Sequence, residues 1–296
     1  LRVALCGKGT DFRNGGVMRA EPDVANVLSS QRVRAEARLT VGARGGRTWL
    51  ERLYQDGAAK VRLPAGSRDP LEAILINTAG GLTGGDRIAW TVEVGAGASL
   101  CVTTQACEKL YRAAQGHAEA AVRISVGEGG RLAWLPQETI VYDGSAFARR
   151  LEVDLAPGAT ALIVEAAIFG RRAMGETVAR AAFRDSWRVR VDAKLVHADE
   201  TRLSGDLPAL FARRAALGGG TAFASVLLVS PAAGGFAEAA RAMVGASGGV
   251  SAWQVAGHGK LLARLVGGDS YDLRSRLAPL LSLLNGEAGL PKAWSL

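Results

Sequence analysis

The sequence is short of cysteine, histidine, lysine and aromatic residues, and each shortage removes a class of protein. Three cysteines, Cys6, Cys101 and Cys107, without a CxxC pair, make no disulfide framework and fit a reducing compartment, so a cytoplasmic location is expected. Three histidines, His117, His197 and His258, stand far apart with no HxxxH spacing, and no stable metal site is expected from them. Aromatics make up 6% of the chain, too few for the aromatic-basic ladder of a nucleic-acid reader, and no nucleic-acid partner is expected. The net charge of +8 comes from 30 arginines against 6 lysines, scattered singly, which reads as a solvated basic surface suited to acidic protein partners. No apolar run approaches the roughly 18 residues that span a bilayer. The opening Val3-Ala4-Leu5-Cys6 is too short for a signal peptide, so no membrane partner is expected either.

Glycine, by contrast, is abundant, with 38 residues. Four of them crowd into Asn77-Thr78-Ala79-Gly80-Gly81-Leu82-Thr83-Gly84-Gly85-Asp86, between the apolar run Ala73-Ile74-Leu75-Ile76 and the alternating run Ile88-Ala89-Trp90-Thr91-Val92-Glu93-Val94. Two strands flanking such a loop let it approach another backbone, or an anion, closely. Gly80 and Gly85 have the P-loop glycine spacing, but Asp86 stands where that loop needs lysine, and a carboxylate there repels phosphate. The dinucleotide fingerprint fails as well, because a strand and not a helix follows.

Hydrophobic content of 48% is ample for a core. Residues 1–30 show no period and are expected to be an extended or disordered lead-in; residues 31–296 read as one domain. Within it, the segments at 92–102, 124–134 and 153–163 share one plan of strand, glycine turn, strand. Their turn glycines Gly97, Gly129 and Gly158 lie 32 and 29 residues apart. Such a repeat points to stacked strand-turn-strand layers; three unrelated hairpins is the alternative. Further strands are expected at 186–191, 194–197 and 222–229, and helices at 236–244 and 273–284, the second ended by Asn285-Gly286. The fold class is therefore mainly β: a many-stranded layered domain, β-helix-like or a sandwich, with about two α-helices near the C-terminus.

Two polar stretches follow the second strand of a repeat, Thr103 to Arg112 and Leu135 to Gly144, and both should emerge at the same edge of the stack. Gln105, Gln137 and Ala166 are then corresponding positions, with Glu108, Glu138 and Glu165 close by. Together with Asp86, Asp143 and Glu176 these make an oxygen-rich edge. Oxygen donors hold late divalent transition ions less strongly than nitrogen and sulfur donors, which suits a passage more than a trap. Paired carboxylates such as Asp86 and Glu138 also do acid and base work in β-rich hydrolases, and that is the alternative function. No serine reads as a nucleophile elbow, and Lys109 beside Glu108 reads as a surface ion pair.

The glycine loop, the stretch Thr103-Thr104-Gln105-Ala106-x-Glu108-Lys109-x-Tyr111-Arg112, and Trp134-Leu135-Pro136-Gln137-Glu138-Thr139-Ile140-x-Tyr142-Asp143-Gly144 together resemble the urease accessory protein UreD family, called UreH in some bacteria. The resemblance runs through Phe169-Gly170-Arg171 and Gly175-Glu176 and covers roughly residues 32 to 290. It implies a non-catalytic scaffold for nickel insertion. Such a scaffold binds apo-urease and UreF, with the GTPase UreG recruited through UreF, and carries Ni²⁺ transiently with no tightly bound cofactor. It also implies an internal tunnel. By motif match Asp86 and Glu176 are nickel-path candidates, with Glu108, Glu138, Glu165 and Asp199 behind them. Gly80, Gly81, Gly84, Gly85, Lys109, Tyr111, Arg112, Gln137 and Asp143 are core-loop or partner-face candidates. Cys107 receives no role.

Overall fold

A computed structural model describes residues 32–65, 69–171 and 174–294. The lead-in expected over residues 1–30 lies outside them. In chain order the strands are β1 (Arg34–Arg44), β2 (Arg47–Asp56), β3 (Ala59–Arg62), β4 (Leu71–Asn77), β5 (Arg87–Val94), β6 (Ser99–Thr104), β7 (Glu108–Leu110), β8 (Ala118–Val126), β9 (Arg131–Leu135), β10 (Thr139–Val141), β11 (Ala146–Leu155), β12 (Thr160–Phe169), β13 (Arg180–Val191), β14 (Lys194–Asp206), β15 (Ala222–Val229), β16 (Gly248–Val255) and β17 (His258–Gly267). A five-residue helix α1 (Leu207–Phe211) lies mid-chain, and α2 (Ala237–Val244) and α3 (Ser270–Asn285) lie near the C-terminus.

Two sheets face each other. One has seven strands in the order β14-β13-β11-β8-β5-β1-β2; the other has ten, ordered β16-β17-β15-β12-β9-β6-β4-β3 with β10 beside β12 and β7 beside β10. The repeat segments are not hairpins. In each, the first strand joins the seven-stranded sheet and the second joins the other, and β5, β8 and β11 stack in parallel, as do β6, β9 and β12. Val94 pairs with Val126, and Val126 with Leu155, so the coil spacing is the 32 and 29 residues between the turn glycines. Gly97 and Gly129 turn with φ of 65° and 63°, where a side chain would be strained. Their amides donate to Glu128 and Pro157 carbonyls of the next turn.

Strand alternation sorts the core into layers. Leu39, Val92, Ile124, Leu151 and Val189 from one sheet meet Leu100, Leu132, Trp134 and Ile163 from the other. The outer face of the ten-stranded sheet, with Leu135, Val164 and Leu261, is covered by Leu273, Leu277, Leu280 and Leu281 of α3. Asp269 caps that helix, its side chain accepting from the Asp272 amide. At the end of the coils where the glycine loop lies, a third apolar group gathers Leu82, Leu110, Phe147, Phe169, Phe183 and Phe211.

The structure departs from the sequence reading in three places. The strand expected over 194–197 runs on to Asp206 as a long edge strand, and the hairpin β16–β17 carries no alternation strong enough to be read from sequence. The register also slips by one: β7 and β10 pair Glu108 with Thr139, and β10 pairs Thr139 with Ala167. Spacings of 31 and 28 here replace the 32 and 29 of the main coils, and Gln105 and Gln137 fall between the two registers, outside the paired segments.

Candidate functional site

The polar residues of the two sequence stretches divide among three networks, because neighbours along a strand face opposite sides of the sheet.

The first network is the glycine loop and its edge. The loop lies against the next coil, joined to it by a single parallel bridge from Leu82 to Leu110. Leu82 donates to the Lys109 carbonyl at 2.7 Å and accepts from the Tyr111 amide at 2.8 Å. Gly81 sits at φ 151°, and a Cβ there would come 2.7 Å from the Lys109 oxygen. A Cβ on Gly84 would strike the Gln115 carbonyl. Gly80 and Gly85 supply positive φ of 75° and 91°. Asp86 is buried, and both its oxygens are engaged by backbone amides, Val33 at 2.9 Å and Thr83 at 2.7 Å. One coil further, Asp143 accepts from the amides of Ala179 and Arg180 and from Arg112 at 2.6 Å, and these bonds, the backbone ones first, hold its carboxyl below the usual carboxylate range. Glu176 takes Arg171 at 2.7 Å and the Asp143 amide at 3.5 Å. Tyr111 meets Tyr142 edge to face at 5.3 Å, and Arg171 lies over the Tyr142 ring. Glu176 lines a cleft of about 410 Å³ with Phe169, Val178 and Phe211, and this cleft shares Gly219, Gly220 and Gly268 with another of about 610 Å³.

The second network runs between the sheets. Arg149 on β11 and Asp185 on β13 occupy inward positions between Phe147 and Leu151 and between Phe183 and Trp187. Arg149 binds Asp185 through Nε at 3.0 Å and Nη2 at 2.7 Å, and binds Glu165 of β12 through Nη1 at 2.5 Å. Glu165 also accepts from the Trp134 indole at 3.0 Å. All three charged groups are buried. Burial pushes the Glu165 carboxyl up to about 7, with Arg149 opposing and Asp185 adding to the rise. Burial alone would loosen the Arg149 proton, but Asp185 and Glu165 raise its pKa. Glu108 stands on the Arg149 side of β7; burial raises its pKa, opposed by two contacts from Asn77 Nδ2 at 3.1 and 3.2 Å. Glu108, Asn77, Cys107 and Lys109 line an open cleft of about 140 Å³. Across the sheet, Glu165 pairs with Ser225 and Ser225 with Arg264, whose guanidinium reaches Asp199 on the opposite sheet at 2.6 Å. A polar row thus crosses the apolar interior from the Glu108 cleft to the exposed Arg264 edge.

The third network lies on the other face, under α3. Arg274 of that helix reaches Gln137 Oε1 at 2.9 Å and Glu138 Oε2 at 3.4 Å, and Cys107 Sγ lies 3.5 Å from the same Glu138 oxygen. Burial first, then Glu138, pushes the Cys107 thiol up to about 11. Lys109 itself is exposed.

The structure therefore brings Glu108 and Glu165 into one row with Asp199 at its end, puts Gln137 and Glu138 on the opposite face of the sheet, and holds Asp86, Asp143 and Glu176 among the loops. Asp86 and Glu138 belong to different networks, and no acid-base pair forms from them. Arg149, Asp185 and Arg274 escaped sequence reasoning, although a charge at an inward position of Phe147-x-Arg149-x-Leu151 and of Phe183-x-Asp185-x-Trp187 is a readable signal. So is Gly245-Ala246-Ser247-Gly248-Gly249, whose spacing is that of a nucleophile elbow. It leads from a helix into a strand, the reverse of an elbow, and the Ser247 hydroxyl is held by Arg276. Among the described residues no group of three or more His, Cys, Asp and Glu side chains is placed to hold a metal, and no helix is long and apolar enough to cross a membrane.

Residues 33–295 match the family model described as UreD urease accessory protein. The chain is 59% identical over 267 residues to the urease accessory protein UreD of Mesorhizobium japonicum, covering 90% of this chain and 95% of that one. It is 54% identical over 272 residues to urease accessory protein UreD 1 of Brucella anthropi, covering 90% and 96%. With the protein of the same name from Brucella abortus it shares 52% over 269 residues, covering 91% and 96%.

Proposed function

The chain belongs to the UreD family of urease accessory proteins, and from that premise we propose that it serves urease maturation as a scaffold without turnover of its own. In this reading it binds apo-urease on one side and UreF on the other, reaches the GTPase UreG through UreF, and lets Ni²⁺ pass between its two sheets toward urease. Nickel is cargo, held transiently, and no cofactor is bound tightly.

The observation that carries the passage is the polar row across the interior. A chain that buries three charged side chains between sheets gives up stability that apolar residues would supply, and a use for them is the simplest reason to keep them. Glu108 sits at an open cleft, Glu165 and Asp185 lie inside, and Asp199 stands at the far edge. Carboxylate oxygens at intervals bind a hydrated divalent ion and release it again. Asp86 and Glu176 enter this reading through their loops, which they pin around one end of the coils. Glu138 lies outside the row. Among the described residues, the outer face of the seven-stranded sheet around the exposed Arg150 and Arg184, and the exposed Trp49 and Tyr54 of β2, are surfaces that suit partners.

The test is a pull-down of the chain with the UreF and apo-urease of its own source, followed by nickel content and urease activity. Co-purification, with activation lost on deletion, is the expected result. Soluble, folded protein that binds neither partner contradicts the scaffold.

A further inference from the structure

Six buried side-chain polar atoms among the described residues find no hydrogen-bond partner, and four of them belong to the seam between the ten-stranded sheet and α3: Gln137 Nε2, Glu138 Oε1 and Arg274 Nε, whose residues are joined by hydrogen bonds, and Thr103 Oγ1 on the same face of the sheet. The other two, on Ser145 and His197, lie elsewhere. Thr103, Gln137 and Glu138 come from the outer face of the ten-stranded sheet and are more than nine-tenths buried; Arg274 comes down from α3. Leaving one such group dry costs about 1–3 kcal/mol, so four together demand an occupant. Turning the Gln137 amide does not help, because its Oε1 already accepts from Arg274, and the exchange would set donor against donor.

The chemistry of the four atoms selects the guest. Glu138 Oε1 only accepts, Gln137 Nε2 and Arg274 Nε only donate, and the Thr103 hydroxyl does either. The occupant must both donate and accept. Its charge is fixed too, since Glu138 and Arg274 cancel: a cation would face the guanidinium and an anion the carboxylate. A neutral, amphoteric molecule of the smallest size fits, and a tetrahedral water has two donors and two acceptors to give. Entry is available as well, because Cys107, whose thiol touches Glu138, lines the open 140 Å³ cleft.

We propose that the seam between α3 and the ten-stranded sheet is a water-binding site, holding one or a few ordered waters between Glu138, Gln137, Thr103 and Arg274, with Cys107 at its door. Helix α3 then docks by two different contacts, dry leucines along Leu273, Leu277, Leu280 and Leu281 and a wet joint at Arg274. The assignment stands on the packing alone and does not depend on the urease reading.

The test is a crystal structure of the whole chain, in complex with its partner where that is the soluble form, at a resolution that places waters, with anomalous data from metal-supplemented crystals. Expected is density within hydrogen-bond reach of Glu138 Oε1 and of Gln137 Nε2 or Arg274 Nε, without an anomalous peak, and its loss in Glu138→Met. Side chains closed on one another with no density between them, or an anomalous peak marking a metal ion, would overturn the proposal. The wild-type density decides even where the variant fails to fold.

Discussion

Glu165 is a residue whose proton couples to folding. Its carboxyl is raised from 4.5 to about 7 by burial, so the folded chain binds a proton there that the unfolded chain has released. Stability from this group is therefore present below pH 4.5 and lost as pH climbs toward 7. Thermal unfolding of Glu165→Gln should flatten that decline, and an unchanged slope would mean that Arg149 keeps the carboxylate ionised throughout. Cys107 gives a second reading. With its thiol pushed up to about 11, partly by Glu138, it should react slowly with iodoacetamide near neutral pH, and Glu138→Gln should speed it several-fold, followed peptide by peptide in mass spectra. Arg149 and Arg112 contrast a buried with an exposed arginine. Arg149→Ala strands two buried carboxylates and should cost about 3–5 kcal/mol in denaturant unfolding. Arg112→Ala removes an exposed partner of Asp143 and should cost about 1 kcal/mol or less.

At the scale of elements, the glycine loop lies against the next coil. Gly81→Val should destabilise the chain by about 1–3 kcal/mol, since it forces a side chain into φ 151° against the Lys109 carbonyl, whereas a change at the exposed Gly249, with open space around it and no positive φ, should not. Limited proteolysis near residue 80 reads the difference. The coils were legible because their strands and turn glycines repeat at one spacing, and that spacing became the sheet register. The networks were not. Side-chain alternation separates Glu138 from Thr139, so residues adjacent in sequence fall on opposite faces, and a one-residue slip between β7 and β10 shifts the correspondence again. The edge hairpin β16–β17 was missed because five of the eight residues of its first strand are exposed and offer no period to read.

On the scale of the whole molecule, among the described residues α3 covers the outer face of the ten-stranded sheet, while the interior carries the charged group Arg149, Glu165 and Asp185, which composition did not reveal. The family was legible in three motif blocks; Arg149 and Asp185, which give the interior its charge balance, lie outside them. The claim that this row is the nickel passage is tested most directly by the nickel content of urease matured with Asp185→Asn or Glu165→Gln chains that still co-purify with UreF and apo-urease. The account predicts urease bound normally but several-fold poorer in nickel, with activity falling in step. Full nickel loading with both carboxylates neutralised would contradict it, and would send the metal by another route.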